Sequence, residues 1–328
     1  MTNLSYQPPV SNLLTYREVE TKPADWPNYV EELGLTADHI PELVTLVQDE
    51  QLWKFWDDDI DDADLPDLGP EVESPYSIII HAWRALGQLR AEAAVPALIK
   101  LLLNLDMDWA WEELPQVFAM IGPAAIAPLE ATLKQPADGD NDGPQFTLVS
   151  GLAQIGLEHS DSRDRVVAIL TDALSQNPQT NRMLGGSLCS ALIDLEAVES
   201  APVIETAYAE DRISPRFSGT WATVQVELGL KKKEDFEPED FEIPFDPDVD
   251  PAIESIKQYL EELERLQKPT AQDTGLPLDY SHWADGFGAP TFDALARSPQ
   301  AAPDTSKAQG FGGGSTAKKK KKSKKKKG

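Results

Sequence analysis

Three stretches of this chain repeat one pattern, and no other feature of the sequence constrains its fold as tightly. HAWRALGQLRAEAAVPALIKLLLN (81–104), PQVFAMIGPAAIAPLEATLKQ (115–135) and SGLAQIGLEHSDSRDRVVAILTDALSQ (150–176) each read as a helix, a short break and a second helix. Aligned on the last apolar residue before the break, the copies fall at Leu86, Ile121 and Ile155, with weaker copies at Leu195 and Leu228. The steps are 35, 34, 40 and 33 residues. A single helix pair cannot bury its apolar face alone, so such pairs stack. The period predicts an all-α fold: an α-solenoid of about four to five helix pairs over residues 76–230.

Local chemistry agrees with paired helices. Small residues recur near each break (Ala85 and Gly87; Gly122, Ala124 and Ala125; Gly151 and Gly156), where they let neighbouring helices approach. Pro96 and Pro128 fall near the start of the second helix. A missing N–H costs little there, because first-turn donors have no intrahelical partner. Residues 36–56 also read as helical, with Thr36 as cap and Ile40, Leu43, Val44 and Val47 on one face. A solenoid needs its open end covered, so residues 1–75 are read as an N-terminal helical cap followed by an acidic loop. That loop, 57–75, carries seven aspartates and two glutamates.

Beyond the repeats the composition shifts twice. Residues 231–250 alternate acids with Phe236, Phe241 and Phe245, and read as a linker or as a strap laid along the helices by its phenylalanines. Residues 251–268 read as a C-terminal helix with Asp250 as cap and a stripe of Ile253, Ile256, Leu260 and Leu263. Residues 269–328 are rich in Pro, Gly, Ala and Ser, predict disorder, and end in polylysine.

The segments HAWRALGQLRAEAAVPALIKLL and IGPAAIAPLEATL resemble HEAT-like repeats of the type first named after phycobilisome lyases. The match is an alanine-rich first helix, a break after Ala-Leu-Gly, then Ala-Val-Pro-x-Leu-x-x-Leu-Leu. The resemblance covers about 150 residues and implies the solenoid fold. For function it implies a range: scaffolds, maturation factors, regulators and bilin lyases alike. The chain end, GGGSTAKKKKKSKKKK, is similar in its glycine-to-lysine cadence to a small C-terminal zinc motif of some bacterial proteins. It lacks every cysteine of that motif, so no zinc function is expected.

Charge is split along the chain. Nine of the 29 basic residues lie in the last eleven positions: Lys318, Lys319, Lys320, Lys321, Lys322, Lys324, Lys325, Lys326 and Lys327. The remaining 20 face all 56 acids, so the body carries −36 while the whole chain carries −27. An acidic body repels nucleic acid, whereas the tail attracts polyanions. The tail has no interleaved aromatics for base stacking. It reads as an RNA, ribosome or lipid contact, as a competitor for the acidic body, or as a solubilising end.

Candidate chemistry is sparse. The four histidines, His39, His81, His159 and His282, show no metal-ligand spacing. DGDNDG (138–143) matches half of a calcium loop, but Val149 stands where the bidentate glutamate belongs. No phosphate-binding or nucleophile-elbow motif is present. Cys189 lies in an apolar helical context and reads as a buried, inert thiol. No cofactor or metal is called for, and no enzyme activity is expected.

LDMDWAWEELP sets Trp109 and Trp111 among Asp106, Asp108, Glu112 and Glu113. Tryptophan beside carboxylates is chemistry for anchoring a basic, partly apolar peptide. With His81 and Arg84 of the first repeat, these residues form the expected partner-binding surface. The leading expectation is a non-catalytic protein-binding scaffold. Alternatives are a bilin-lyase-like or chromophore-maturation factor, for which Arg84 and Arg90 are the available anion ligands, and nucleic-acid or ribosome association through the tail. The sequence shows no transmembrane stretch or secretory signal and predicts a cytoplasmic protein. It leaves the oligomeric state open.

Overall fold

A computed structural model describes residues 6–16, 22–56, 60–61, 65, 72, 77–105, 107–135 and 143–243. Several expected features lie outside these residues: Asp106, most of the acidic segment 57–75, the loop residues 138–142, the helix at 251–268 and the lysine tail. Contacts divide the chain into two units, Met1–Val249 and Asp250–Gly328. All described residues belong to the first.

Every regular element among the described residues is an α-helix or a 3-10 turn. The N-terminal region supplies α1 (Tyr29–Leu33), α2 (Ile40–Val47) and α3 (Glu50–Trp53). The expected helix over 36–56 is therefore broken. Asp49 caps the restart by accepting from the Gln51 N–H at 2.9 Å, and it also receives the Tyr6 hydroxyl at 2.9 Å. That local bonding competes with helix continuation.

Four helix pairs follow: α4 (Ser77–Gln88) with α5 (Val95–Asn104), α6 (Asp108–Ile121) with α7 (Ile126–Leu133), α8 (Gly143–Glu158) with α9 (Arg163–Gln176), and α10 (Arg182–Asp194) with α11 (Ala201–Ala209). Within every pair a single 3-10 turn precedes the second helix, at Glu92–Ala94, Pro123–Ala125, Ser160–Ser162 and Val198–Ser200. The first helices pack in chain order, α4 on α6, α6 on α8 and α8 on α10. The second helices flank them, α5 against α7 and α9 against α11. The apolar core is continuous along this series.

Two pairs turn by the same device. Arg90 and Glu196 adopt left-handed backbone, at φ 50° and 51°. The next amide then reaches back to the helix: Ala91 N–H to Leu86 O at 3.0 Å, and Ala197 N–H to Leu192 O at 2.9 Å. This closes carbonyls that the helix end leaves open. The weak copy near Leu228 is not a fifth pair. Its first helix is split into α12 (Pro215–Ser218) and α13 (Trp221–Glu227) at Gly219, and among the described residues no second helix follows.

The first helix of the second copy begins before Pro115. Pro115 lies inside α6, which starts at Asp108. Proline cannot donate to the carbonyl four residues back. That carbonyl, Trp111 O, lies 3.4 Å from the Thr147 hydroxyl of α8, which also lies 3.1 Å from its own helix at Gly143 O. In α10, Gly185 and Gly186 pack against the loop 212–214. A methyl at Gly185 would overlap Arg212 O, and one at Gly186 would sit 2.6 Å from Ser214 O. Cys189 on the same helix is buried, and burial pushes its thiol up to about 12.

The segment after α13 carries 3-10 turns at Lys233–Asp235 and Pro238–Phe241. Phe236 and Phe241 meet edge-on at 5.7 Å, the Pro238–Phe241 turn lies against α13, and the Thr220 hydroxyl donates to Asp240 O at 2.6 Å. No single helix among the described residues is long and apolar enough to cross a membrane. The stretches Asp108–Ile121 and Pro123–Leu133 are apolar enough as a pair, but they bend by 114°.

Candidate binding surfaces

The first two turns of α6 sort the expected site residues by helical phase. Asp108 and Glu112, four apart, are exposed. Trp109 and Trp111 are half-buried against the core. The Trp111 indole N–H is enclosed without a hydrogen-bond partner among the described residues. Glu113, one residue on from Glu112, is rotated by about 100° and points inward. It accepts from the Trp83 indole N–H at 2.8 Å and from Arg84 Nε at 2.8 Å, and forms an ion pair with Arg84 Nη2.

His81, Arg84 and Glu113 are therefore corrected. Their exposures are 0%, 0% and 4%. Interior groups do not meet a partner, and these three serve the core. A buried carboxylate needs a paired, hydrogen-bonded cation, which Arg84 supplies from the neighbouring helix. Of the two arginines available to an anionic chromophore, Arg84 is committed to Glu113.

The N-terminal arm covers His81 and Arg84. Ser77, His81, Arg84 and Gln88 recur at intervals of four, three and four, forming a polar stripe along α4. Each meets the arm. The Ser77 hydroxyl donates to Tyr16 O at 3.1 Å. His81 Nδ1 lies 2.6 Å from the Tyr29 hydroxyl. The Arg84 guanidinium sits 4.5 Å over the Trp26 ring. Gln88 accepts from the Tyr29 N–H at 2.9 Å and donates to Pro27 O at 2.8 Å. Burial, reinforced by the Arg84 charge, lowers His81 from 6.5 to about 4, so the imidazole is neutral. Burial raises the Tyr29 hydroxyl well above the ordinary tyrosine range.

Among the grooves on the described surface, two bear on binding. The larger, about 680 Å³, lies between the arm and the ends of α4, α6 and α8, with Trp26, Glu31, Arg90, Met120, Glu158 and His159 among its walls. Its polar groups are partly engaged. His159 Nε2 donates to Ala119 O at 2.8 Å, and Glu158 accepts from Gln116 and Gln154 at 2.8 and 2.9 Å.

The second groove, about 640 Å³, runs between α9 and α11. Val167, Ala168 and Val203 give it apolar lining, and Asp164, Asp172 and Glu199 give it carboxylates. Sequence reading missed it because it is assembled from two helices about 35 residues apart. One signal was legible: in RDRVVAILTDALSQ, positions 164, 168, 171, 172 and 175 share a helical face that is small and polar. Among the described residues, no three His, Cys, Asp or Glu side chains are placed to hold a metal ion. No protein-family model, curated protein or solved structure matches this chain.

Proposed function

We propose that the chain is a non-catalytic binding scaffold, a HEAT-like helical solenoid whose acidic surface receives a basic segment of a protein partner. The observation that carries this reading is the open entrance of α6. Exposed Asp108 and Glu112 flank Trp109 and Trp111, which are half-buried and so already rigid. Fixed aromatic faces beside carboxylates desolvate and orient a basic, partly apolar chain, and the −36 body raises its encounter rate. The repeated helix–3-10–helix unit supports the solenoid reading, because such units add surface without adding a reaction centre.

Affinity capture from native extract tests this, with full-length protein and a 1–317 truncation compared at low and high salt. The expected result is the same protein partners with both chains, lost at high salt and reduced by Trp109→Ala with Glu112→Gln. Partners that vanish with the truncation and consist of RNA or ribosomal components overturn it, and place the activity in the lysine tail.

A further inference from the structure

The α9–α11 groove has a charge pattern more specific than general acidity. At one end Arg163 Nη1 pairs with both Asp164, at 3.1 Å, and Glu199, at 2.9 Å. Its other nitrogens donate to Leu195 O and Glu196 O at 2.9 and 3.0 Å, which pins the guanidinium. Its hydrogen bond holds the Glu199 carboxyl below the usual carboxylate range. Two carboxylates on one guanidinium leave a net charge of −1 at that end. Asp172 stands two turns further along α9 and accepts only from the Gln176 amide, at 2.8 Å. No basic group lies within ion-pair distance of its carboxylate among the described residues; the nearby Lys134, whose charge Asp172 also feels, is itself paired with Glu130 at 2.8 Å.

Eight helical residues separate Asp164 from Asp172, a rise of about 12 Å. The carboxylates are too dispersed to chelate one ion. They fit two cations carried on one scaffold. Val167, Ala168 and Val203 add apolar lining to the same groove, and a lysine side chain lays its apolar stem on such a surface while its ammonium stays in water. In an extended chain, side chains four residues apart point the same way and stand about 13 Å from each other.

We propose that the α9–α11 groove binds an extended protein segment with lysines four residues apart, one ammonium at Asp172 and the other at the Asp164–Glu199 end. This rests on the scaffold reading above and gives it a second, separate surface. Arginine fits less well, because its planar fork favours bidentate pairing with a single carboxylate, whereas the groove offers dispersed ones.

The test is fluorescence anisotropy with the full-length chain and labelled peptides in which two lysines are spaced by four or by one, at equal length and charge. The expected result is saturable binding at low salt, tighter for the four-residue spacing. Asp172→Asn weakens it by up to about five-fold, the most that one exposed ion pair contributes, and removes the spacing preference. Val203→Lys, which fills the groove with the partner's own chemistry, abolishes it. Asp108→Asn with Glu112→Gln lowers only the spacing-independent binding of the α6 surface and leaves the spacing preference unchanged. Unfolding midpoints of the variants matching the parent show that the groove, and not the fold, has been altered. Binding that responds only to the α6 substitutions, or that ignores spacing, overturns the groove while leaving the scaffold reading intact. Absence of saturable binding to either peptide overturns the groove and counts against a basic partner as well.

Discussion

Two helices of this protein carry a polar stripe, and they use it in opposite ways. On α4 the stripe Ser77, His81, Arg84 and Gln88 is covered by the chain's own N-terminal arm, with every polar side chain engaged. On α9 the stripe that includes Asp164, Thr171, Asp172 and Ser175 lies open as a groove wall. The framework is the same, a helix within a pair joined by a 3-10 turn. What differs is the cover. Where the stripe is covered, its charges are interior and fix the fold. Where it is open, they are solvated and available.

The comparison predicts unequal costs. Glu113→Gln has the largest effect. It leaves the Arg84 guanidinium buried without its counter-charge, and breaking such a pair costs about 3–5 kcal/mol. Chemical denaturation measures it, and the double change Arg84→Met with Glu113→Leu is expected to recover much of the loss. Next comes acid. His81 titrates near 4 in the fold and 6.5 when unfolded, so between these values the unfolded chain binds the extra proton. Stability present above pH 6.5 is lost as pH falls toward 4, by about 3 kcal/mol, and His81→Phe removes that slope. Gly185→Ala follows, at about 1–3 kcal/mol for forcing the 212–214 loop away. The smallest effect is Asp172→Asn on the open stripe, whose melting midpoint stays at the parent value because a solvated carboxylate contributes little. A large loss there would erase the contrast between covered and open stripes.

The helical class and the paired units were legible because apolar periodicity is a local signal. His81, Arg84 and Glu113 were not placed correctly for the opposite reason. The cover of His81 and Arg84 arrives from residues 16–29, some 50 to 60 positions away, and nothing in α4 itself announces it, while Glu113 is covered by Trp83 and Arg84, about 30 positions before it. Glu112 and Glu113 are chemically identical and adjacent, and only the phase of α6 separates exposed from buried. That phase is set by where α6 begins, at Asp108, seven residues before Pro115. Asp108 and Glu112 did come out on one open face, as spacing of four residues dictates. The groove between α9 and α11 needed the packing of two helices before either wall had meaning.

The buried thiol of Cys189 has a practical consequence. Burial keeps the thiol protonated at neutral pH and encloses it, so it presents no thiolate for alkylating dyes to attack. The native protein thus offers a silent background, with no other cysteine in the sequence. A cysteine introduced at Ser175 on the groove wall, or at Glu112 on α6, becomes the single labelling site of the folded chain. Dyes placed there would report which of the two surfaces an arriving partner touches, without removing any native residue to clear the way.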